Sequence, residues 1–216
     1  FIRGADAGGG DPAAGAAIVM QTIEDALGVP VDHYILVNLR AVEKTINALG
    51  GVDIYVPNTI DDPTYMNTDT GETLFIPAGQ NHLDGGTALR YMRTRYQDND
   101  FARANRQQLV LMALRQEVLN IGIAEMIQRM PLLYQNVKSG IFTDLSMENM
   151  VALAEVGSDI PTESINMEVM NSDYVTSFLT DEGAHVLLLL PEKADVLIQE
   201  LFYGGTSPEQ TPQAEE

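Results

Sequence analysis

Short apolar segments alternate with amphipathic ones over the first part of the chain. Residues 33–39 (HYILVNL) and 52–56 (VDIYV) each predict a strand, because they are rich in β-branched and aromatic residues. A helix that begins near Asp11 and ends at Gly28 precedes the first strand, and a helix over residues 41–49 separates the two. Strands that alternate with helices predict an α/β fold. We expect one domain with a central mixed β-sheet covered by helices, an α-β-α sandwich.

The pattern becomes less regular after the second strand. Residues 58–74 are polar and turn-rich, which predicts a surface loop. Asp84 is expected to begin a short helix that ends near Met92. Asp100 is expected to cap a long helix over residues 101–120.

The remainder of the chain is predicted to be mainly helical. Helices are expected over residues 123–137, behind the cap residue Ser146 and over residues 193–202, with a strand at residues 165–170. One domain would therefore span residues 1–202. The tail over residues 203–216 is rich in Pro, Gln and Glu and is expected to be mobile.

Composition narrows the class of protein. The chain has 216 residues, and its hydrophobic fraction of 45% is ordinary for a globular domain. A net charge of -19 repels the phosphates of nucleic acids and an anionic lipid surface. With no cysteine, disulfides, thiolate metal sites and a cysteine nucleophile are excluded. No apolar run approaches the roughly 20 residues that a membrane span needs.

The few basic residues are concentrated in one segment. Only 12 residues are Lys or Arg, and five of them lie within residues 90–106: Arg90, Arg93, Arg95, Arg103 and Arg106. An acidic chain that gathers its arginines in this way could hold a single anion site. Guanidinium groups suit such a site because they bind oxyanions in a bidentate way.

One face of the predicted helix over 101–120 continues from an apolar half into a polar half. At about 100° per residue, that face carries Leu111, Leu114 and Val118, and towards its start Asp100, Arg103 and Gln107. The whole face is therefore expected to point inward. An inward arginine needs an anionic partner, and Asp100 alone cannot serve four arginines.

The excess positive charge predicts a phosphate or pyrophosphate site at the beginning of this helix. Arg93 and Arg95, two residues apart, would point to the same side of an extended backbone. The alternative is a set of surface arginines paired with nearby acids such as Asp98, Asp100 and Glu117.

Several linked motifs resemble those of the LytR-CpsA-Psr family. Residues 88–95 (ALRYMRTR) and 100–107 (DFARANRQ) resemble its arginine motif, A-L-x-Y-x-R-x-R followed by D-x-x-R-x-x-R-Q. Residues 48–54 (ALGGVDI) resemble its A-L-G-G-V-D-V. Residues 78–85 resemble its A-G-x-x-x-L-D-G, and residues 28–34 (GVPVDHY) its G-I-P-I-D-Y-Y.

The resemblance runs from about residue 8 to residue 117, in the order and spacing of the family, and leaves residues 120–202 as a helical remainder. It implies a phosphotransferase that moves a glycopolymer, such as a teichoic acid or a capsular polysaccharide, from a polyprenyl-pyrophosphate carrier to peptidoglycan. The expected location is the extracytoplasmic face of the bacterial membrane, reached through an anchor absent from this chain. No nucleic acid partner is expected.

The expected site combines the resemblance with the helical geometry. Its catalytic residues would be Arg93, Arg95, Asp100, Arg103 and Gln107. Its substrate-binding residues would be Arg93, Arg95, Arg103, Arg106 and Gln107. Asp100 would orient at least one of the arginines and Gln107 would donate at the rim. Arg106 would lie at the edge, and Arg90 would turn toward solvent.

The family's first strand, its metal-binding segment of the R-x-D-T type and the S-I-P-R-D segment that follows do not occur in this sequence. We therefore expect the acidic ligands of a Mg²⁺ or Mn²⁺ ion, and one substrate arginine, to lie upstream of Phe1 or to be lost. Weak or no transfer activity is expected from these residues alone. Other candidate groups are expected to be structural or solvated. They are the three histidines and the loop acids Asp61, Asp62 and Asp69. A set of apolar residues on and after the long helix is expected to pack in the core; the alternative is that it lines a slot for a polyprenyl chain. This set comprises Leu111, Met112, Leu114, Val118, Met126 and Met130.

Two other functions remain open. A non-catalytic binder of the same lipid or of an anionic glycopolymer would use the same arginines. A transcriptional regulator, as an old naming of this family suggests, is disfavoured because no basic helix other than the one expected to face inward is available to contact DNA.

Overall fold

The computed structural model describes residues 10–67, 70–122, 124–126, 128 and 138–204. This part of the chain contains six α-helices whose bounds are given below and eight short strands. The helices are α1 (Pro12–Leu27), α2 (Leu39–Leu49), α3 (Gly85–Arg93), α4 (Asp100–Ile121), α5 (Met147–Asp159) and α6 (Pro191–Tyr203). The strands are β1 (Ile35–Val37), β2 (Val52–Val56), β3 (Ile60–Asp62), β4 (Leu74–Ile76), β5 (Gly79–Leu83), β6 (Ile141–Thr143), β7 (Val175–Leu179) and β8 (His185–Leu189).

Three of these helices begin at the N-cap residues that the sequence predicts. Asp11 accepts a hydrogen bond from the amide of Ala13, Asp84 from that of Thr87 and Ser146 from that of Asn149. Each bond satisfies a backbone donor that has no partner inside the helix. The predicted beginnings of α1, α3 and α5 are therefore confirmed.

The α/β class is confirmed, but the described strands do not form one central sheet. They pair as four two-stranded antiparallel ladders, β1 with β6, β2 with β5, β3 with β4, and β7 with β8. The expected strand over 33–39 is limited to Ile35–Val37, whereas that over 52–56 is present in full.

Three segments differ from the predictions. The polar stretch 58–74 is not a single loop, because Ile60 and Leu74 are buried on paired strands β3 and β4. Residues 165–170 form no strand; the strands of this region are β7 and β8. Of the helices expected over 123–137, only residues 124–126 and 128 are described, and they are helical. The predicted tail lies outside the described residues from position 205 onwards.

The main core lies where β2–β5 meet the helices. Its buried members are Ile46, Val52, Ile54, Val56, Ile60, Leu74, Ile76, Leu83, Ala88, Tyr91, Val110 and Ala113. Helix α4 packs on β2 and α3, so the short segment between α3 and α4 is held at the edge of this core. Within the described residues, no helix combines the length and the apolar character that crossing a membrane requires.

Candidate functional site

The arginine-rich segment forms the connection from α3 to α4. Helix α3 ends at Arg93, and α4 begins at Asp100 with Asn99 as its cap, whose side chain accepts from the amide of Ala102 at 3.0 Å. The prediction that Asp100 caps this helix is therefore wrong by one residue. Asp100 instead lies in the first turn, where the positive end of the helix dipole favours a carboxylate.

Asp100 bridges two of the expected arginines. Nη1 of Arg95 lies 2.9 Å from Oδ1 of Asp100, and Nη1 of Arg103 lies 3.3 Å from the same oxygen. The hydrogen bond from Arg95, followed by the charges of both arginines, holds the pKa of Asp100 below its ordinary value despite some desolvation. The carboxylate is thus ionised at neutral pH, and two cations share one anion.

This three-residue group is open to solvent. The side chains of Arg95, Arg103 and Asp100 are 58%, 34% and 57% exposed. An ion pair this exposed contributes little to folding, so the group is better suited to contact a ligand than to hold the fold together. The expected orientation of arginines by Asp100 is present in the structure, and the functional role of these residues stays a prediction.

Arg93 lies in a different environment. Its guanidinium carbon lies 5.7 Å from the centroid of the Tyr65 ring, within the range of a cation–π interaction. Arg93 makes no ion pair with any residue that the structure describes. The convergence of Arg93 with Arg95 and Arg103 is consequently not seen as a direct contact, and Tyr65 is a neighbour that sequence reasoning missed.

Arg106 is buried, whereas we expected it at the edge of the site. Only 5% of the residue is exposed. Its Nε donates to the carbonyl of Tyr91 at 2.9 Å, and Nη2 donates to the carbonyl of Thr94. Both terminal nitrogens also contact the carboxylate of Asp98. Four of the five N–H groups of the guanidinium bind protein atoms, so Arg106 braces α4 against the preceding segment.

The face of α4 that points inward also differs from the prediction. The buried residues are Arg106, Val110 and Ala113, at the spacing of one helical stripe. Gln107 is exposed and reaches the carbonyl of Met92 at 3.4 Å, and Leu111 is 60% exposed. The predicted inward face was displaced by about one residue, or roughly 100°.

Arg90 was expected to point to solvent and does not. It is half-buried, and its Nη2 donates to the hydroxyl of Thr87 at 3.2 Å. Its Nη1 is buried and, among the atoms that the structure describes, has no hydrogen-bond partner. Arg90 is therefore unsuitable as a solvated control for the other arginines.

The remaining candidates are mainly structural. His33 and His82 each contact one carboxylate, of Asp144 and of Asp53, at 3.0 and 2.7 Å. No group of three or more acidic or histidine side chains in the described part of the chain could hold a metal ion. Asp62 is buried instead of solvated, with 2% exposed, and Asp69 lies outside the described residues.

The residues considered for a lipid slot are divided among different environments. Leu114 packs on the core, and Met126 is buried. Val118 lines an apolar groove of about 240 Å³ between α4 and α5, and Met130 lies outside the described residues. These positions do not form one continuous slot in the described part of the structure.

Comparison with known proteins places the chain in a family. Residues 6–200 match the model of the LytR_cpsA_psr family, and the chain belongs to this family. The match extends well beyond the segment in which the motifs could be read, into the last described helix, α6.

Individual relatives match a part of their own length. The polyisoprenyl-teichoic acid–peptidoglycan teichoic acid transferase TagU of Enterococcus faecalis is 31% identical over 142 residues, 65% of this chain and 43% of that protein. The corresponding transferase TagV of Bacillus subtilis is 28% identical over 157 residues, 71% of this chain and 39% of that protein. The chain thus spans about two fifths of these relatives.

Solved structures share the fold. The crystal structure of B. subtilis TagV aligns with a TM-score of 0.64 at 24% identity, over 85% of this chain and 69% of that one. A structure of TagT bound to LIIa-WTA aligns with the same TM-score and identity, over 87% and 66%. At this level of identity, the likeness supports the fold.

Proposed function

We propose that this chain is part of a phosphotransferase that moves a glycopolymer, of the teichoic acid or capsular polysaccharide type, from a polyprenyl-pyrophosphate carrier to peptidoglycan. The relatives named above are transferases of teichoic acid to peptidoglycan, and a solved structure shows TagT bound to LIIa-WTA. Such a reaction takes place at the extracytoplasmic face of the membrane, where both carrier and peptidoglycan are accessible.

One observation carries the proposal. In a chain with a net charge of -19, Arg95 and Arg103 meet at a single oxygen of Asp100 on an exposed surface beside the first turn of α4. Two guanidinium groups with one carboxylate leave one positive charge uncompensated at this point. The helix N-terminus adds positive potential, and the combination fits a pyrophosphate.

In the reaction, the oxygen of a peptidoglycan hydroxyl would bond to the phosphorus that carries the glycan while the bond from this phosphorus to the bridging oxygen breaks. Polyprenyl phosphate would leave, and the hydroxyl proton would be released to solvent. The negative charge on the phosphoryl oxygens is largely retained throughout such a transfer, so positioning and charge stabilisation carry most of the catalysis. Arg95 and Arg103 would supply both by holding the pyrophosphate oxygens, with Asp100 keeping the two guanidinium groups in place before the substrate binds.

A Mg²⁺ or Mn²⁺ ion is part of the proposal for the complete domain only. The acidic and histidine side chains within the described ranges do not form a group that would hold such an ion. Its ligands would have to come from elsewhere, and none of the steps above depends on them.

The binding step can be measured by titration calorimetry with farnesyl pyrophosphate. Arg95→Ala and Arg103→Ala should each weaken binding roughly ten- to a hundredfold, as expected for the loss of charge-assisted hydrogen bonds. Arg40→Ala is the matched control, because Arg40 is an exposed arginine on α2 and does not belong to the arginine-rich segment. Equal and small effects of all three substitutions would mean that the cluster is only a solvated basic surface.

Binding alone does not separate a transferase from a non-catalytic binder of the same lipid. Transfer of labelled glycan to peptidoglycan by the complete protein would distinguish them, since a binder gives no product. Regulation through DNA contacts gains no support from α4, because Arg106 is buried and Arg115 donates to the carbonyls of Gly157 and Ile160 and to the Thr162 hydroxyl.

A further inference from the structure

The segment that carries Arg95 is anchored through a buried threonine. Thr94 is 4% exposed, whereas Arg93 before it and Arg95 after it are both exposed. A buried polar residue between two solvent-exposed arginines must satisfy its own hydrogen-bonding groups. The partners it finds determine how the backbone on either side of it is held.

The hydroxyl and the carbonyl of Thr94 are both bound by groups outside α3. Its hydroxyl donates to Oδ2 of Asp62 at 2.6 Å and accepts from the amide of Tyr96 at 3.4 Å. Its carbonyl accepts from Nη2 of Arg106. The carbonyl of Thr94 and the amide of Tyr96 belong to the two peptide groups that flank Arg95, so the backbone is fixed on both sides of this residue.

Asp62 is specialised for this contact. It lies at the end of β3 and is 2% exposed, and its other oxygen, Oδ1, accepts from the amide and the hydroxyl of Thr64 at 2.9 and 2.6 Å. Burial raises its pKa, but the hydrogen bonds from the Thr64 and Thr94 hydroxyls and the amides of Thr64 and Tyr65 outweigh it and lower the pKa.

Asp62 is therefore an ionised carboxylate that uses only neutral donors. Among the described residues it forms no ion pair. The same strand holds the segment a second time, because the amide of Asp61 donates to Oε1 of Gln97 at 2.7 Å. Strand β3, which the sequence predicted to be loop, thus holds the arginine segment through hydrogen bonds to Thr94 and Gln97.

We propose that Asp62 is a positioning residue, whose buried carboxylate holds Thr94 and thereby presents Arg95 to the pyrophosphate of the substrate in a fixed orientation. The ligand assignment rests on the function proposed above, whereas the contacts between Asp62, Thr94 and the Arg95 backbone do not. A side chain that is held in place before binding loses less conformational freedom on binding. A variant in which Arg95 is no longer held should therefore bind the ligand more weakly.

The test compares substitutions that break the contact with ones that preserve it. Asp62→Asn replaces an acceptor by an amide donor opposite the Thr94 hydroxyl, and Thr94→Val removes that hydroxyl. Each should weaken binding of farnesyl pyrophosphate roughly three- to tenfold, the effect of one hydrogen bond. Thr94→Ser keeps the hydroxyl and should bind like the wild type. Asp61→Asn, the same change one residue away on the exposed face of β3, should also bind like the wild type.

A double-mutant cycle shows whether Asp62 acts through Arg95. If it does, Asp62→Asn combined with Arg95→Ala should bind no more weakly than Arg95→Ala alone. Thermal unfolding checks that each variant is folded at the temperature of the titration. If Asp62→Asn is not folded, the comparison of Thr94→Val with Thr94→Ser tests the same contact. Multiplicative losses in the double mutant would overturn the proposal, as would wild-type binding by folded Asp62→Asn or Thr94→Val.

The two proposals fail in different ways. If Arg95→Ala itself binds farnesyl pyrophosphate like the wild type, the pyrophosphate site is wrong. If Arg95→Ala binds weakly while folded Asp62→Asn binds normally, the site stands and the positioning role of Asp62 is wrong.

Discussion

Replacement of Arg106 by alanine tests whether this arginine is a brace of the fold or a ligand of the substrate. The substitution removes the guanidinium of a buried residue, which donates to Asp98 and to the carbonyls of Tyr91 and Thr94. Asp98 would lose its cation, and two backbone acceptors would lose their donors. We therefore expect a large loss of stability instead of a selective loss of binding.

The magnitude follows from the environment of the pair. Removal of one partner from a buried ion pair costs about 3–5 kcal/mol in other proteins. The side chain of Asp98 keeps 28% of its surface exposed and so can be partly hydrated, which places the expected loss at about 3 kcal/mol. A domain is stable by only about 5–15 kcal/mol, so this change should be evident.

The assay is urea unfolding followed by circular dichroism. Arg106→Ala should lower the free energy of unfolding by about 3 kcal/mol, and Arg106→Lys should recover only part of it, since an ammonium cannot reach all three partners. Arg103→Ala, on the same helix and with the same change of charge, should leave the unfolding midpoint unchanged. A loss below about 1 kcal/mol in Arg106→Ala, together with abolished farnesyl pyrophosphate binding, would show that Arg106 is a ligand of the substrate.

Two further substitutions test contacts elsewhere in the domain. The hydrogen bond to Asp53, and next that to the Gly50 carbonyl, raise the pKa of His82 above 6.5. Its contribution to stability should be complete below that pH and disappear as the pH rises through the raised pKa, and His82→Gln should remove this dependence from urea midpoints. Asp84→Ala should destabilise the domain by about 0.5–2 kcal/mol through the lost cap of α3, whereas Asp84→Ser should restore most of it; equal losses in both would contradict the capping role.

The sequence by itself determined the parts of this protein that depend on local chemistry. Asp84 and Ser146 begin helices because the side chain of each satisfies a backbone amide three residues further along. Strand β2 could be predicted because buried and exposed positions alternate along its sequence VDIYV, as is typical of a strand with one face in the core. The concentration of arginines before and within α4, and the motifs that placed the chain in its family, also required only the order of residues.

The tertiary structure alone decided which arginines are exposed and which is buried. Helix α4 carries apolar residues on more than one face, among them Val110, Leu111 and Leu114, so the periodicity could not select the stripe that is buried. The buried stripe of α4 is determined by contacts between residues that are not adjacent in the sequence: Arg106 donates to Asp98 and to the carbonyls of Tyr91 and Thr94.

The pairing of β3 with β4 was likewise invisible in a polar segment, because each strand has only three residues and a pattern that short carries little signal. That pairing buries Asp62 beneath Thr94, 32 residues away in the chain. Local propensity does not report a contact of this range. Burial leaves the carboxylate and the hydroxyl few other partners, and this is why the fold, and not the sequence pattern, determines how Arg95 is held.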